Sequence, residues 1–386
     1  MIGVMGPLAG VKILELEAIG PVPFCGMMLA DMGADVLLVD RPFAPGLGLE
    51  LDRRSDLMLR GRRSVTLDLK SQNGVSALLQ LADRADVLLE GFRPGVLERL
   101  GLGPDVLLAR NPRLVVGRMT GWGQDGPLAP RAGHDIDYIA LSGMLHAVGH
   151  VGRRPVPPLN LIGDFGGGGM LLAFGVAAAL VESGRSGRGQ VIDAAMSEGA
   201  SLLGMMFFGM VAAGTWKETR GTNILDSGAP WYDTYETSDG RFVAIGAIEP
   251  KFYTELLTRL GLAGTPLPGQ HDRAGWPLLR ARFAESFRSR TRDEWCRVFA
   301  DSDACFAPVL TFSEAMAHPH FAARRSHVSV GGIDQPAPAP RFSRTPAGAP
   351  HPPPERGERG REALRDWGFA DADIARLRGL GVGFVA

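Results

Sequence analysis

The sequence is poor in cysteine and in net charge, and each scarcity excludes a class of protein. Its three cysteines, Cys25, Cys296 and Cys305, form no CxxC pair and leave one unpaired in any disulfide scheme. This usage favours a reduced cytosolic setting over a disulfide-stabilised secreted one. The net charge of −1 provides no overall field that would attract nucleic acid or anionic lipid. We therefore expect neither as a partner.

Long apolar runs and targeting signals are also missing. The longest apolar runs, Met170–Val181 and Ala200–Gly214, are shorter than the roughly 20 residues that a membrane-spanning helix needs. The N-terminal MIGVMGPLAG lacks a basic region followed by an apolar signal core, and the C-terminal GFVA matches no retention or peroxisomal address. We therefore expect a cytoplasmic protein with no membrane span.

What the sequence does contain, first, is an alternation of strands and helices over residues 1–120. The β-type runs are VKILEL (11–16), ADVLLVD (34–40), SVTLDLK (64–70), DVLLE (86–90) and LVVGRMT (114–120). Helix-like segments separate them, and Ser71 is placed to cap the one that follows the third run. This pattern predicts a parallel α/β sheet with ligand sites at the carboxyl ends of its strands. The first strand is followed by EAIGPVPFCG rather than GxGxxG, which argues against a nicotinamide or flavin dinucleotide.

Composition and turn signals predict further domains. A long apolar helix is expected from Asp164 to about Glu182, and two β-type runs around Ser238-Asp239-Gly240 predict a hairpin. We predict a large Rossmann-like domain over residues 1–200, a linker helix and connection over 201–224, and a small α+β domain over 225–315. Residues 316–386 then form a Pro/Gly-rich extended linker, most marked over 331–357, and a C-terminal helical segment.

Two motifs carry candidate chemistry: GHDIDY (133–138) and GDFGGGG (163–169). A metal site is disfavoured, because no HxxxH, HExxH or Cys/His cluster completes one. In the structural interpretation, His134 is a structural histidine, Asp164 a helix N-cap, and the glycines allow tight helix packing. In the functional interpretation, His134 and Asp164 are an acid/base pair, and backbone N–H groups near Asp164 hold a developing oxyanion. Glu249 is either a helix-start carboxylate or a partner that orients His134.

These motifs, in this order, resemble the class III CoA-transferase (CaiB/BaiF-type) superfamily, and within it the α-methylacyl-CoA racemases. The likeness covers most of residues 8–315 and runs through the segments ADVLLEGFRPGVLERLGLGP, AGHDIDYIALSG, PLNLIGDFGGGGM, GRGQVIDAAM and NILDSGAPWYDTYETSDGRFVAIGAIEPKFY. It implies an intertwined homodimer with shared active sites, whose C-terminal segment returns to the large domain. It further implies that His134 and Asp164 act on opposite faces of a substrate α-carbon, and that Glu249 orients His134 across the subunit interface.

The resemblance also implies a set of contacts to coenzyme A, carried in by the substrate: Arg41, Leu67, Asp68, Leu69, Lys70, Gly91, Phe92, Arg93, Arg99, Gly133, Asp135, Ile136, Asp137 and Tyr138. Arg41 and Arg93 follow predicted strands, where α/β proteins bind ligands, and arginine suits phosphate. For Arg60, Arg62 and Arg63 we retain two interpretations, a solvated basic loop or additional phosphate contacts.

The implied activity is interconversion of (2R)- and (2S)-2-methylacyl-CoA thioesters by 1,1-proton transfer through an enolate, in fatty-acid or lipid metabolism. No cofactor is expected, since the thioester itself acidifies the α-position. The alternative is a class III CoA-transferase in which Asp164 is the nucleophile that carries CoA between carboxylic acids. The segment Met205–Met210 fits either an acyl channel or plain core.

Overall fold

The structure, a computed structural model, describes residues 6–44, 46 and 51–385. Its strands are β1 (Lys12–Leu16), β2 (Asp35–Asp40), β3 (Arg62–Thr66), β4 (Val87–Glu90), β5 (Val115–Thr120), β6 (Val191–Ala195), β7 (Tyr232–Glu236), β8 (Phe242–Gly246), β9 (Phe306–Pro308), β10 (His327–Val330) and β11 (Ile333–Pro336). Its helices are α1 (Pro21–Asp31), α2 (Gln72–Ala82), α3 (Val96–Arg99), α4 (Pro104–Arg110), α5 (Asp135–Leu141), α6 (Met144–Ala147), α7 (Leu171–Ser186), α8 (Met196–Leu203), α9 (Met205–Ala212), α10 (Pro250–Arg259), α11 (Trp276–Phe287), α12 (Arg292–Val298), α13 (Phe312–Ala317), α14 (Pro319–Ala323), α15 (Gly360–Asp366) and α16 (Asp371–Gly379). A π-helical segment, Leu161–Met170, leads directly into α7.

The chain forms two compact units. The first consists of Met1–Ser142, Leu159–Leu203 and Arg325–Ala386, and the second of Gly143–Pro158 and Gly204–Arg324. Residues 143–158, which the sequence analysis assigned to the large domain, thus group with the second unit. The C-terminal residues group with the first.

The first unit is built on a six-stranded parallel sheet with the order β3-β2-β1-β4-β5-β6. The predicted α/β fold is therefore confirmed. Its strands are continuous apolar runs because both faces of the sheet are covered. One face packs on α2, α4, α15 and α16 and the other on α1 and α7. The strand order reverses between β1 and β4, and ligand sites of doubly wound folds lie at this position, outside the carboxyl ends of the strands.

Strand β3 begins two residues earlier than predicted and incorporates Arg62 and Arg63, for which the sequence left a solvated loop and phosphate contacts as alternatives. Arg60 pairs with Asp31 at 2.6 Å, Arg62 with Glu15 at 3.0 Å, and Arg63 with Asp35 and Asp366. All three arginines are buried. The solvated-loop interpretation is therefore wrong, and the guanidinium groups are already paired with carboxylates of the protein.

The long apolar helix is longer than predicted. The π-helical segment and α7 together form a 26-residue helix, Leu161–Ser186, which is long and apolar enough to cross a membrane by length and composition alone. Its residues Leu172, Val176 and Ala179 are buried against the sheet. Because a core helix of this kind passes the same test, we interpret it as part of the first unit's core.

The second unit has the predicted hairpin, β7 and β8, and β9 extends it to a three-stranded antiparallel sheet. Helices α10, α11 and α12 cover it through an aromatic core that includes Trp231, Phe283 and Phe287. The expected α+β character is confirmed. The predicted linker 331–357 needs a correction, because β10 and β11 pair as an antiparallel hairpin and residues 333–336 are a strand.

Candidate active site

The GHDIDY motif folds into a hydrogen-bonded turn at the start of α5 that presents the side chain of His134 to solvent. His134 is the residue before α5, and its N–H donates to Asp137 Oδ2 at 2.9 Å. The hydroxyl of Tyr138 donates to the carbonyl of Gly133, and the Tyr138 ring stands edge-on to Trp122 with 4.8 Å between centroids. The motif thus holds its own histidine in place, while the His134 side chain remains exposed.

Asp164 lies inside the first turn of the π-helical segment. The N-cap position belongs to Asn160, so the expectation that Asp164 caps the helix is wrong. Asn160 Nδ2 donates to Asp164 Oδ2 at 3.0 Å, and the carboxylate faces Gly20, where an added Cβ would lie 3.3 Å from Oδ2. Burial raises the pKa of Asp164 above its usual range, and the negative charge of Asp135 adds to this, while Asn160 and His134 act in the opposite direction.

One buried carboxylate connects the two predicted bases. Asp135 Oδ1 accepts hydrogen bonds from the N–H of Gly163 at 2.6 Å and from the N–H of Asp164 at 2.8 Å. Asp135 is only 6% exposed and follows His134 directly in the chain. It therefore fixes the backbone at Asp164 relative to the backbone at His134. Its Oδ2 is buried and has no hydrogen-bond partner among the described residues.

This arrangement corrects the expected oxyanion site. The N–H groups of Gly163 and of Asp164 itself donate to Asp135, so they are not free to hold a developing charge. The N–H groups of Asp135 and Ile136, next to His134, form no hydrogen bond within the described part of the chain. Sequence reasoning assigned Asp135 to coenzyme A and missed this role, because only the tertiary fold brings residues 135 and 163 together.

The glycines of GDFGGGG permit close helix packing, as the structural interpretation predicted. A Cβ at Gly167 would lie 2.5 Å from the backbone nitrogen of Ala200 in α8, and one at Gly168 would lie 3.0 Å from Pro21 in α1. A Cβ at Gly163 would lie 2.5 Å from Asp135 Oδ1. The glycines therefore also allow the contact that holds Asp135.

The structure brings many of the predicted coenzyme A contacts to one edge of the sheet. Arg41 follows β2, Leu67 follows β3, and Gly91 follows β4, so these loops meet at the carboxyl ends of parallel strands. The exposed members of the set are Asp68, Lys70, Gly91, Arg93, Arg99, Ile136 and Asp137, and the partly exposed ones are Arg41, Leu69, Phe92 and Gly133. The side chains of Leu67, Asp135 and Tyr138 are buried, so they support the loops from within.

Glu249 belongs to the second unit, where it is exposed at the N-cap position of α10 and is followed by Pro250. This is the helix-start carboxylate that the sequence predicts. The segment Met205–Met210 lies in α9 of the same unit, and Met205 is 62% exposed. Its interpretation as plain core is therefore wrong for this unit. No group of three or more His, Cys, Asp or Glu side chains in the described residues is arranged to hold a metal ion.

Comparisons with known proteins extend over both units. A model of CoA-transferase family III matches residues 8–360. The alpha-methylacyl-CoA racemase of Mus musculus is 48% identical, and that of Homo sapiens 45% identical, each over 96% of this chain and 96% of its own length. A crystal structure of a CaiB/BaiF family protein from Brucella suis is similar with a TM-score of 0.80 and 26% identity, covering 94% of this chain and 100% of that one.

Proposed function

Because this chain belongs to CoA-transferase family III, we propose that it is an isomerase that interconverts the (2R) and (2S) forms of 2-methylacyl-CoA thioesters. The similarity to two alpha-methylacyl-CoA racemases over nearly the whole chain supports this activity over other members of the family. The structural observation that carries it is Asp135, which ties the backbone of His134 to that of Asp164. Two proton-transferring groups held at a fixed separation suit a reaction at one carbon.

In the proposed reaction, one of His134 and Asp164 removes the α-proton of the thioester. The electron pair of the C–H bond passes to the carbonyl oxygen, which forms an enolate, and the other group delivers a proton to the opposite face. The N–H groups beside His134, on Asp135 and Ile136, are unpaired within the described part of the chain and can donate to the enolate oxygen. The pKa of Asp164 is raised, so it lies closer to neutral pH than that of an ordinary carboxylic acid. A carboxylic acid whose pKa is closer to the working pH is better able both to give and to take a proton.

We further propose that coenzyme A lies along the sheet edge formed by the loops after β2, β3 and β4. Support comes from the exposed cations Lys70, Arg93 and Arg99 at this edge, because arginine and lysine bind phosphate groups. The thioester itself acidifies the α-carbon, so the proposal requires no cofactor. The free cysteines Cys25, Cys296 and Cys305 support a reducing compartment, which we propose to be the cytoplasm.

A homodimer is part of the proposal. Apolar side chains of both units are exposed, including Phe174 at 73% and Leu202, Leu203 and Phe208. Patches of this kind mark interaction surfaces, and a second copy of this chain is the partner that the family resemblance implies. In such a dimer we propose that Glu249 of one copy orients His134 of the other and sets its tautomer.

The test uses a single epimer of a 2-methylacyl-CoA in D₂O. We expect α-deuterium to be incorporated while the configuration converges to a mixture of both epimers. A parallel reaction contains succinate as a CoA acceptor. Formation of succinyl-CoA without α-exchange would instead support the transferase alternative, with Asp164 as the nucleophile.

A further inference from the structure

Two charged residues that the proposed reaction does not use, Glu17 and Arg356, hold Arg41 at the sheet edge where we place coenzyme A. Glu17 follows β1, Arg41 follows β2, and Arg356 comes from the C-terminal segment. Arg356 Nη2 pairs with Glu17 Oε1 at 2.6 Å. The two residues are separated by 339 positions in the chain, so the C-terminal segment is joined here to the first strand of the sheet.

Both partners of this ion pair also hold the backbone of Arg41. Glu17 Oε2 accepts the N–H of Arg41 at 2.7 Å, and Arg356 Nη1 donates to the carbonyl oxygen of Arg41 at 2.8 Å. The two polar backbone groups of one residue are thus bound by a single ion pair. The guanidinium of Arg41 forms no hydrogen bond or ion pair within the described ranges.

The surroundings make this contact strong. The side chains of Arg356 and Glu17 are 22% and 13% exposed, and that of Asp40, which precedes Arg41, is fully buried. Asp40 accepts from Arg53 and from Ser64 Oγ, each at 2.5 Å, and lies 3.4 Å from Arg356. Charge-assisted hydrogen bonds that are shielded from water are stronger and less screened than exposed ones.

We propose that Arg356 and Glu17 are positioning residues for coenzyme A binding, acting through Arg41. The pair holds the backbone of Arg41 at the carboxyl end of β2, so that its guanidinium is aimed at an anionic group of the ligand before the ligand arrives. Such preorganisation lowers the cost of binding. The inference rests on the proposed function, in which coenzyme A lies along the loops after β2, β3 and β4, because Arg41 is the first residue of the loop after β2.

The test measures the Kd of free coenzyme A by calorimetry, together with KM and kcat for racemisation. In Arg356→Met, we expect Kd and KM to rise on the order of tenfold, the scale of a lost charge-assisted hydrogen bond, while kcat stays within about twofold. Arg356→Lys keeps a positive charge opposite Glu17 but has one nitrogen in place of the two that bind Glu17 and Arg41. We therefore expect a smaller rise in Kd and KM than in Arg356→Met. Glu17→Gln weakens the same pair from the other side and should behave like Arg356→Met.

Arg361→Met is the matched control, because Arg361 lies in the same C-terminal segment, on α15, and its guanidinium lies 3.6 Å from an exposed carboxylate, that of Asp371. It should leave Kd unchanged. A double-mutant cycle isolates the action through Arg41: in an Arg41→Met background, Arg356→Met should change Kd by less than about twofold.

Three results would overturn the proposal. One is a fall in melting temperature of Arg356→Met with Kd unchanged, which would make the pair a structural link only. Another is a rise in Kd caused by Arg356→Met that is equally large in the Arg41→Met background. The third is an unchanged Kd in Arg41→Met, which would show that Arg41 does not contribute to coenzyme A binding. None of these results would contradict the racemase proposal, because that proposal is tested independently by α-deuterium incorporation with the unmodified protein in D₂O.

Discussion

Gly163→Ala should disable the proposed site without altering either proposed base. A Cβ at residue 163 would lie 2.5 Å from Asp135 Oδ1 and 3.1 Å from its carboxyl carbon, well inside van der Waals contact. Asp135 is short, buried and bound to two backbone N–H groups. It therefore cannot retreat from the new methyl group without lengthening both hydrogen bonds.

The magnitude follows from those two bonds. A hydrogen bond to a charged group contributes about 1.5–3 kcal/mol, so losing both costs about 3–6 kcal/mol. The higher helix propensity of alanine offsets about 1 kcal/mol of this. We expect Gly163→Ala to lower the free energy of unfolding by about 2–5 kcal/mol. Because a shift of about 1 Å between reacting groups can cost on the order of 100-fold in rate, turnover should fall by a similar factor.

The assay combines urea unfolding with racemisation kinetics, and the control is Gly184→Ala. Gly184 lies in α7, where an added Cβ meets nothing within 4 Å, so alanine should stabilise the protein by up to about 1 kcal/mol and leave turnover unchanged. If Gly163→Ala were as stable and as active as Gly184→Ala, Asp135 would not be the link between His134 and Asp164.

Three further predictions concern side chains. His134→Ala should remove most interconversion of the epimers and leave the melting temperature unchanged, because the His134 side chain is exposed; a thermal melt beside the racemisation assay checks this. The pKa of Asp164 is raised by burial, then by the charge of Asp135. A base must be deprotonated to act, so kcat/KM for the epimer that Asp164 deprotonates falls as pH drops through this pKa. Asp135→Asn removes one negative charge and should move that limb of the pH profile to lower pH. Arg62→Met should destabilise the protein by about 3–5 kcal/mol in urea unfolding, since it leaves Glu15 buried without its partner, and the double variant Arg62→Met with Glu15→Leu should recover much of the loss.

The sheet could be predicted from the sequence because strands that are buried on both faces consist of continuous apolar runs between turn signals. The prediction of the strand boundaries failed where charged residues are buried. Arg62 and Arg63 are buried in β3 because carboxylates on other elements neutralise them, and no local pattern shows those partners. The same holds for the ion pair that binds the backbone of Arg41, because Glu17 follows β1 and Arg356 lies in the C-terminal segment.

The candidate bases could be found from the sequence through the motifs around His134 and Asp164, but their connection could not. The link depends on a hydrogen bond between residues 135 and 163, which are 28 positions apart, and on the absence of a side chain at Gly163. The start of the helix was also misjudged, because Asn160 rather than Asp164 takes the N-cap position.

The measurement that tests the two-base claim most directly is α-deuterium incorporation into each separate epimer by His134→Ala and by Asp164→Asn. In the proposed reaction, each variant would retain one base on one face of the α-carbon. We predict that each exchanges the α-proton of only one epimer, that the two variants act on opposite epimers, and that neither interconverts them. Exchange of the same epimer by both variants, or interconversion near the unmodified rate by either, would contradict the assignment.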